Sequence, residues 1–165
     1  MIIKPEITAY RPCVGVLLFN TQGLVWIGRR FEKQSDDGTG KWWQMPQGGI
    51  DKGEDVEAAA RRELYEETSV KNASLLKVSD GWYSYDFPDH LIGVTSKGLY
   101  RGQKQKWLAF RFEGRDEEIN LVVPGQKQEF DRWRWEKLEA LPELIVPFKR
   151  KVYEDLARDF RDLTT

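Results

Sequence analysis

Among 165 residues there is one cysteine, Cys13, and one histidine, His90. A single thiol excludes a disulfide framework. Unless these two residues meet, it also excludes a thiol–imidazole catalytic pair, and two such ligands are too few for a Cys/His zinc cluster. No stretch approaches the roughly 18 consecutive apolar residues that a membrane helix needs, so no membrane span is expected. Residues 1–12 carry charges and two prolines but no apolar run, so no signal peptide is expected and a cytoplasmic setting is, which a lone cysteine suits. Neither sign of charge dominates: 26 Lys and Arg face 27 Asp and Glu, a net of −1. There is thus no general polycation for duplex DNA and no acidic tail. Internal repeats and low-complexity segments are also missing.

What is present is the composition of a folded domain. Hydrophobic residues make up 40% and charged residues 32%, which excludes a disordered chain, and the length suits one domain over residues 1–165. Val14–Phe19 is a continuous apolar run and predicts a buried strand, followed by a turn at Asn20–Gly23 and a partner strand over Leu24–Gly28. Glu32–Lys41 is polar and glycine-containing and reads as a loop. Trp42–Gly49 reads as a strand end entering a tight turn. Glu54–Thr68 is the clearest helix, with acids in its first turn and three alanines at 58–60. A strand is expected within Lys71–Tyr85, irregular chain over Pro88–Gly102, and strands over Lys104–Phe112 and Asp131–Trp135. Trp133 and Trp135 share a strand face, a packing pattern. Pro147 opens a last helix on which Phe148, Val152, Leu156 and Phe160 recur every four residues. Strands around two helices predict an α/β or α+β layered domain.

One helix face carries a concentration of acid. Glu63, Glu66 and Glu67 stand at i, i+3 and i+4 and fit within an arc of roughly 100°. Val56, Ala60 and Leu64 overlap that arc, so these acids border the buried side, where like charges repel more strongly. Arg61 and Arg62 do not balance three carboxylates. A site that crowds carboxylates beside a core calls for a cation, and oxygen ligands without His or Cys select a hard one, Mg²⁺ or Mn²⁺. The preceding segment, Gln47 to Glu54, has three glycines in eight residues, which lets the backbone come close to an ion or a phosphate.

Gly48 to Val70, GGIDKGEDVEAAARRELYEETSV, resembles the Nudix box. Gly48, Glu54, Arg62, Glu63, Leu64, Glu66, Glu67 and Val70 match that pattern, and Ser69 stands where it has glycine. YRPCVG, VWIGRR, WQMPQGG, YSYDFP, GQKQKW, EFDRWRW and PFKRKVY extend the resemblance over about Tyr10–Phe160. They are similar to the branch that holds bacterial RNA pyrophosphohydrolases and asymmetrically cutting diadenosine tetraphosphate hydrolases. The resemblance implies an αβα sandwich around a central mixed sheet, with the box (48–70) as loop–helix–loop. It further implies that Glu63, Glu66 and Glu67 bind divalent ions with help from a backbone carbonyl near Gly48. Glu63 or Glu66 would orient or deprotonate the attacking water. Arg62 and Glu54 hold the carboxylates, and Glu129 matches an additional catalytic and metal-binding acid supplied from a loop.

Substrate contacts are expected from several places. Residues 51–67 carry seven acids against three bases, so the remainder of the chain is about +3. Residues 97–111 hold five basic residues and no acid. Lys104 and Lys106 alternate toward one strand face and are expected to hold a phosphate chain. The resemblance also implies an arginine at the substrate end, Arg29 or Arg30. Tyr85 and Phe148 match a base-stacking clamp, and Lys149 beside Phe148 can reach a phosphate. The expected activity is hydrolysis of a phosphoanhydride in a 5′-linked nucleotide polyphosphate. The substrate is the triphosphorylated or diphosphorylated 5′ end of RNA or, alternatively, a dinucleoside polyphosphate such as diadenosine tetraphosphate. A non-catalytic nucleotide- or RNA-binding module is the rival from another class.

Overall fold

In the computed structural model of the protein, the residues described are 7–31 and 42–165. The loop expected over Glu32–Lys41 lies outside the described residues. Eight strands form one sheet: β1 (Tyr10–Phe19), β2 (Val25–Arg30), β3 (Trp43–Gln44), β4 (Gln47–Gly49), β5 (Ala73–Val78), β6 (Tyr83–Asp86), β7 (Gly102–Phe112) and β8 (Phe130–Glu136). The order along the main path is β3-β2-β1-β7-β5, with β4 on β1, β6 on β7 and β8 on β2. The sheet is mixed. β1 and β7 run parallel through ten paired positions from Tyr10↔Gly102 to Phe19↔Arg111, and the remaining pairs are antiparallel.

The alternation of β1 and β7 splits the core in two. Val14, Val16, Leu18, Leu108 and Phe110 face one side and pack with Ala59, Ala60 and Leu64 of α1 (Val56–Thr68). Leu17, Phe19, Trp107 and Ala109 face the other and pack with Val152, Tyr153 and Leu156 of α2 (Arg150–Asp159). The expected helix–sheet–helix layering is therefore present. Continuous apolar runs in β1 and β7 follow from burial on both faces.

Element boundaries shift for local reasons. α1 begins at Val56 rather than Glu54 because Asp55 is its cap, its carboxylate accepting from the Ala58 N–H at 3.2 Å. The last helix begins at Arg150; Pro147–Lys149 forms a separate 3₁₀ turn, so Phe148 leaves the helical stripe. Lys71–Tyr85 holds two strands, β5 and the start of β6, and Pro88–Gly102 holds two 3₁₀ turns. Trp133 stacks on Trp26 with centroids 6.3 Å apart, and Trp135 meets Trp133 edge-on at 5.8 Å. Among the described residues no helix is long and apolar enough to cross a membrane.

Candidate active site

The site begins in the turn between β4 and α1. Glu54 closes it in both directions: its N–H donates to Asp51 O at 2.9 Å, and its Oε1 accepts from the Asp51 N–H at 3.0 Å. Arg62, two turns into α1, then reaches back. Its Nε and Nη2 grip both oxygens of Glu54 at 2.8 Å, Nη2 also donates to Gly49 O at 2.8 Å, and Nη1 donates to Glu63 at 2.9 Å. A longer contact from Nη1 runs to Glu66 at 3.4 Å. One planar guanidinium thus locks the loop to the helix and orients two carboxylates. Its hydrogen bonds pull the Glu54 carboxyl down to about 2.

α1 ends at Ser69, which takes the left-handed conformation (φ 68°) that the box reserves for glycine. The Ser69 N–H donates to Tyr65 O at 2.8 Å, and its hydroxyl donates to Asn120 O at 2.9 Å. The departure from the box pattern leaves the helix terminus intact.

Glu63, Glu66, Glu67 and Glu129 line one cleft of about 290 Å³, together with Gly48. Glu67 is 8% exposed, and its Oε2 accepts the Gln47 N–H at 3.1 Å. Burial, then the charges of Glu63 and Glu129, hold its carboxyl well above the usual carboxylate range. Burial also raises Glu63 to about 7, opposed by Arg62 and assisted by Glu66. Gly48 permits this crowding: a Cβ there would stand 2.1 Å from the Glu63 carboxyl carbon. Among the described residues no three His, Cys, Asp or Glu side chains converge as a ready ligand set, because Arg62 and Gln47 hold the glutamates. The donor chemistry nonetheless fits a hard divalent ion: the carboxylates are oxygen-only, partly desolvated and mutually repelling.

Arg11 of β1 and Arg30 of β2 line the same cleft, and Lys149 of the 147–149 turn lies within charge range of Arg30 and Glu67. The Arg30 Nε is buried and lacks a hydrogen-bond partner among the described residues. Arg29, the adjacent candidate, makes a two-pronged ion pair with Asp131 at 2.8 and 2.9 Å. Lys149 is 5% exposed, and burial, then the Arg30 charge, lowers its ammonium to about 7. Phe148 keeps partial exposure and packs on Tyr85 with centroids 5.7 Å apart. Tyr85, expected in an open clamp, lies in the core instead, 7% exposed and covered by Phe87 and Phe148. Lys104 and Lys106 do not line the cleft; their ammonium groups lie 5.0 and 5.6 Å from the Trp82 ring.

The sequence reasoning missed Arg11, Gln44, Gln47 and Gln103, all of which line the cleft. Arg11 sits in YRPCVG, which carries only a resemblance, and Gln103 sits in GQKQKW, where the expectation falls on the lysines. Their parallel pairing across β1 and β7 brings them opposite one another.

Against known proteins, the NUDIX domain pattern matches residues 9–156. The chain is similar to the RNA pyrophosphohydrolase of Brucella anthropi, 56% identical over 98% of this chain and 95% of that protein. It is likewise similar to that of Mesorhizobium japonicum, 53% identical over 98% and 95%. Two solved structures share the fold. One is a MutT protein from Methanosarcina mazei, with TM-score 0.60, 18% identity and 94% and 98% of the two chains covered. The other is a C. elegans Ap4A hydrolase binary complex, with TM-score 0.59, 15% identity and 91% and 98% covered.

Proposed function

Since the chain belongs to the NUDIX family, we propose that it is an RNA pyrophosphohydrolase, removing pyrophosphate or phosphate from triphosphorylated or diphosphorylated 5′ ends. The observation that carries this reading is the joining of two opposite charge environments in one cleft: desolvated carboxylates on α1 and the cations Arg11 and Arg30 on the same lining, with the buried Lys149 within charge range of Arg30 and Glu67. A polyphosphate end needs both. The two relatives carry that name at 53–56% identity over nearly the full chain.

Glu63, Glu66, Glu67 and Glu129, with the Gly48 carbonyl, would hold divalent ions, for which we propose Mg²⁺ or Mn²⁺. Such ions, when bound, lower the pKa of water and neutralise phosphate oxygens. Arg62 and Glu54 position the carboxylates, and the Gln47 N–H fixes the rotamer of Glu67. Water oxygen forms the new bond to phosphorus while the bond to the bridging oxygen breaks. Glu63, Glu66 or Glu129 takes the water proton on a carboxylate oxygen. Arg30 and Lys149 meet the negative charge of the phosphate chain, and the exposed part of Phe148 offers a face to the first base. We propose a cytoplasmic setting to go with an RNA substrate.

The deciding experiment compares kcat/KM for triphosphorylated RNA and for diadenosine tetraphosphate under the same Mg²⁺ conditions. Preference for RNA is expected. A preference above about a hundredfold for the dinucleotide would replace this reading with a dinucleoside polyphosphate hydrolase.

A further inference from the structure

Trp82 is 45% exposed, on the segment that leads into β6. The ammonium of Lys104 lies 5.0 Å from its ring centroid and that of Lys106 lies 5.6 Å away. Lys106 Nζ is further fixed by donating to Asp80 O at 3.0 Å and Ser79 O at 3.3 Å. Among the described residues neither lysine has a carboxylate partner, and residues 97–111 contain no acid. Two lysines without acid partners, held on an open indole, form a surface that matches a polyanion with planar rings.

The position of this surface fits the substrate. β7 alternates, so Lys104 and Lys106 project to the face opposite Gln103, which lines the cleft. Among the described residues β6 pairs with β7 alone and forms the sheet edge here, with Tyr85 opposite Gln103 and Ser84 opposite Lys104. A strand leaving the cleft therefore needs only to pass around β6 to reach Trp82.

Resting on the RNA reading above, we propose that Trp82, Lys104 and Lys106 form a second contact surface for the single-stranded body of the RNA whose 5′ end occupies the cleft. One base stacks on the Trp82 ring, and the two ammonium groups meet flanking phosphates. The 5′ end reacts at the carboxylates, while this surface supplies affinity that depends on RNA length and not on end chemistry.

The test uses the full chain with three probes: a triphosphorylated 20-nucleotide RNA, a triphosphorylated dinucleotide and a 20-nucleotide RNA with a 5′-hydroxyl. For Trp82→Ala, KM for the long substrate should rise about fivefold or more at constant kcat, with the dinucleotide unchanged. Binding of the 5′-hydroxyl RNA should weaken by a similar factor, and Trp82→Phe should restore most of it. Lys104→Ala with Lys106→Ala should reduce the salt slope of that binding by about 1.4, as loss of two single-strand phosphate contacts requires. An equal change on the dinucleotide, or no change on either RNA, would overturn the proposal and leave the surface structural or open to a protein. Wild-type protein that hydrolyses neither RNA would refute the substrate reading alone, because the 5′-hydroxyl binding still decides the surface.

Discussion

Glu67 is a carboxylate placed where its charge opposes folding. Its folded-state affinity for a proton is raised, so the stability linked to it is greatest at low pH and declines as pH rises above the ordinary carboxylate value of about 4.5. Glu67→Gln keeps an acceptor for the Gln47 N–H and removes the buried charge. In chelator at pH 8 this variant should be more stable by about 1–3 kcal/mol in urea unfolding. Its turnover should fall at least about a hundredfold, since even residues that merely support metal ligands cost up to that much. Near-wild-type turnover would refute its assignment to the metal site. Glu54 shows the opposite sign. Its carboxyl is held at about 2, so its contribution is complete above about pH 4.5 and is lost as pH falls toward 2. The stability difference between wild type and Glu54→Gln should therefore shrink across that acid window, as followed by urea midpoints at successive pH values.

At the scale of elements, α1 was the most legible. Its periodicity, alanines and acids mark it as a helix, and Asp55 alone explains why it starts two residues late. Its end carries a local strain that chemistry can test. A non-glycine residue in the left-handed region costs roughly 1–2 kcal/mol, while the Ser69 hydroxyl bond to Asn120 O returns about 0.5–1.5 kcal/mol. Thermal unfolding should place Ser69→Gly close to wild type and Ser69→Ala about 1 kcal/mol below it. A destabilised glycine variant together with a neutral alanine variant would contradict this account. The basic strip of β7 was legible as charge but not as direction. Alternation sets Lys104 and Lys106 on the β7 face that Leu108 and Phe110 turn to α1, whereas the cleft-lining Gln103 shares the other face with Trp107, a division that the charge pattern alone does not carry. Tyr85 and Phe148 were found as a pair, but the depth of Tyr85 depends on Phe87 and the 147–149 turn closing over it. Arg11 was invisible as a site residue because its role arises from pairing with a strand some ninety residues away.

In the molecule as a whole, the layers are tied to one another through the site. The Tyr153 hydroxyl, buried on α2, accepts the Met45 N–H at 3.0 Å and so anchors the chain between Gln44 and Gln47, two residues of the cleft. Tyr153→Phe leaves that N–H unpaired, which should cost about 1–3 kcal/mol in denaturant unfolding. It should also lower kcat, because Gln47 orients Glu67; a variant of unchanged stability and rate would show that α2 and the cleft are independent. The near-neutral net charge has the same integrated character, an acidic segment of −4 over residues 51–67 set against about +3 elsewhere. The central pairing of the sheet also has a consequence for biosynthesis. Each partner in the β1–β7 register is 92 residues from the other, as Tyr10 is from Gly102. At about 5–20 residues per second, a ribosome takes roughly 5–20 s to make the second half of that ladder after the first has emerged. The nascent β1, with its apolar run Val14–Phe19, must wait for its parallel partner through that interval with only the nearby β2 and β4 to pair with, which leaves an apolar strand edge open to a ribosome-bound chaperone.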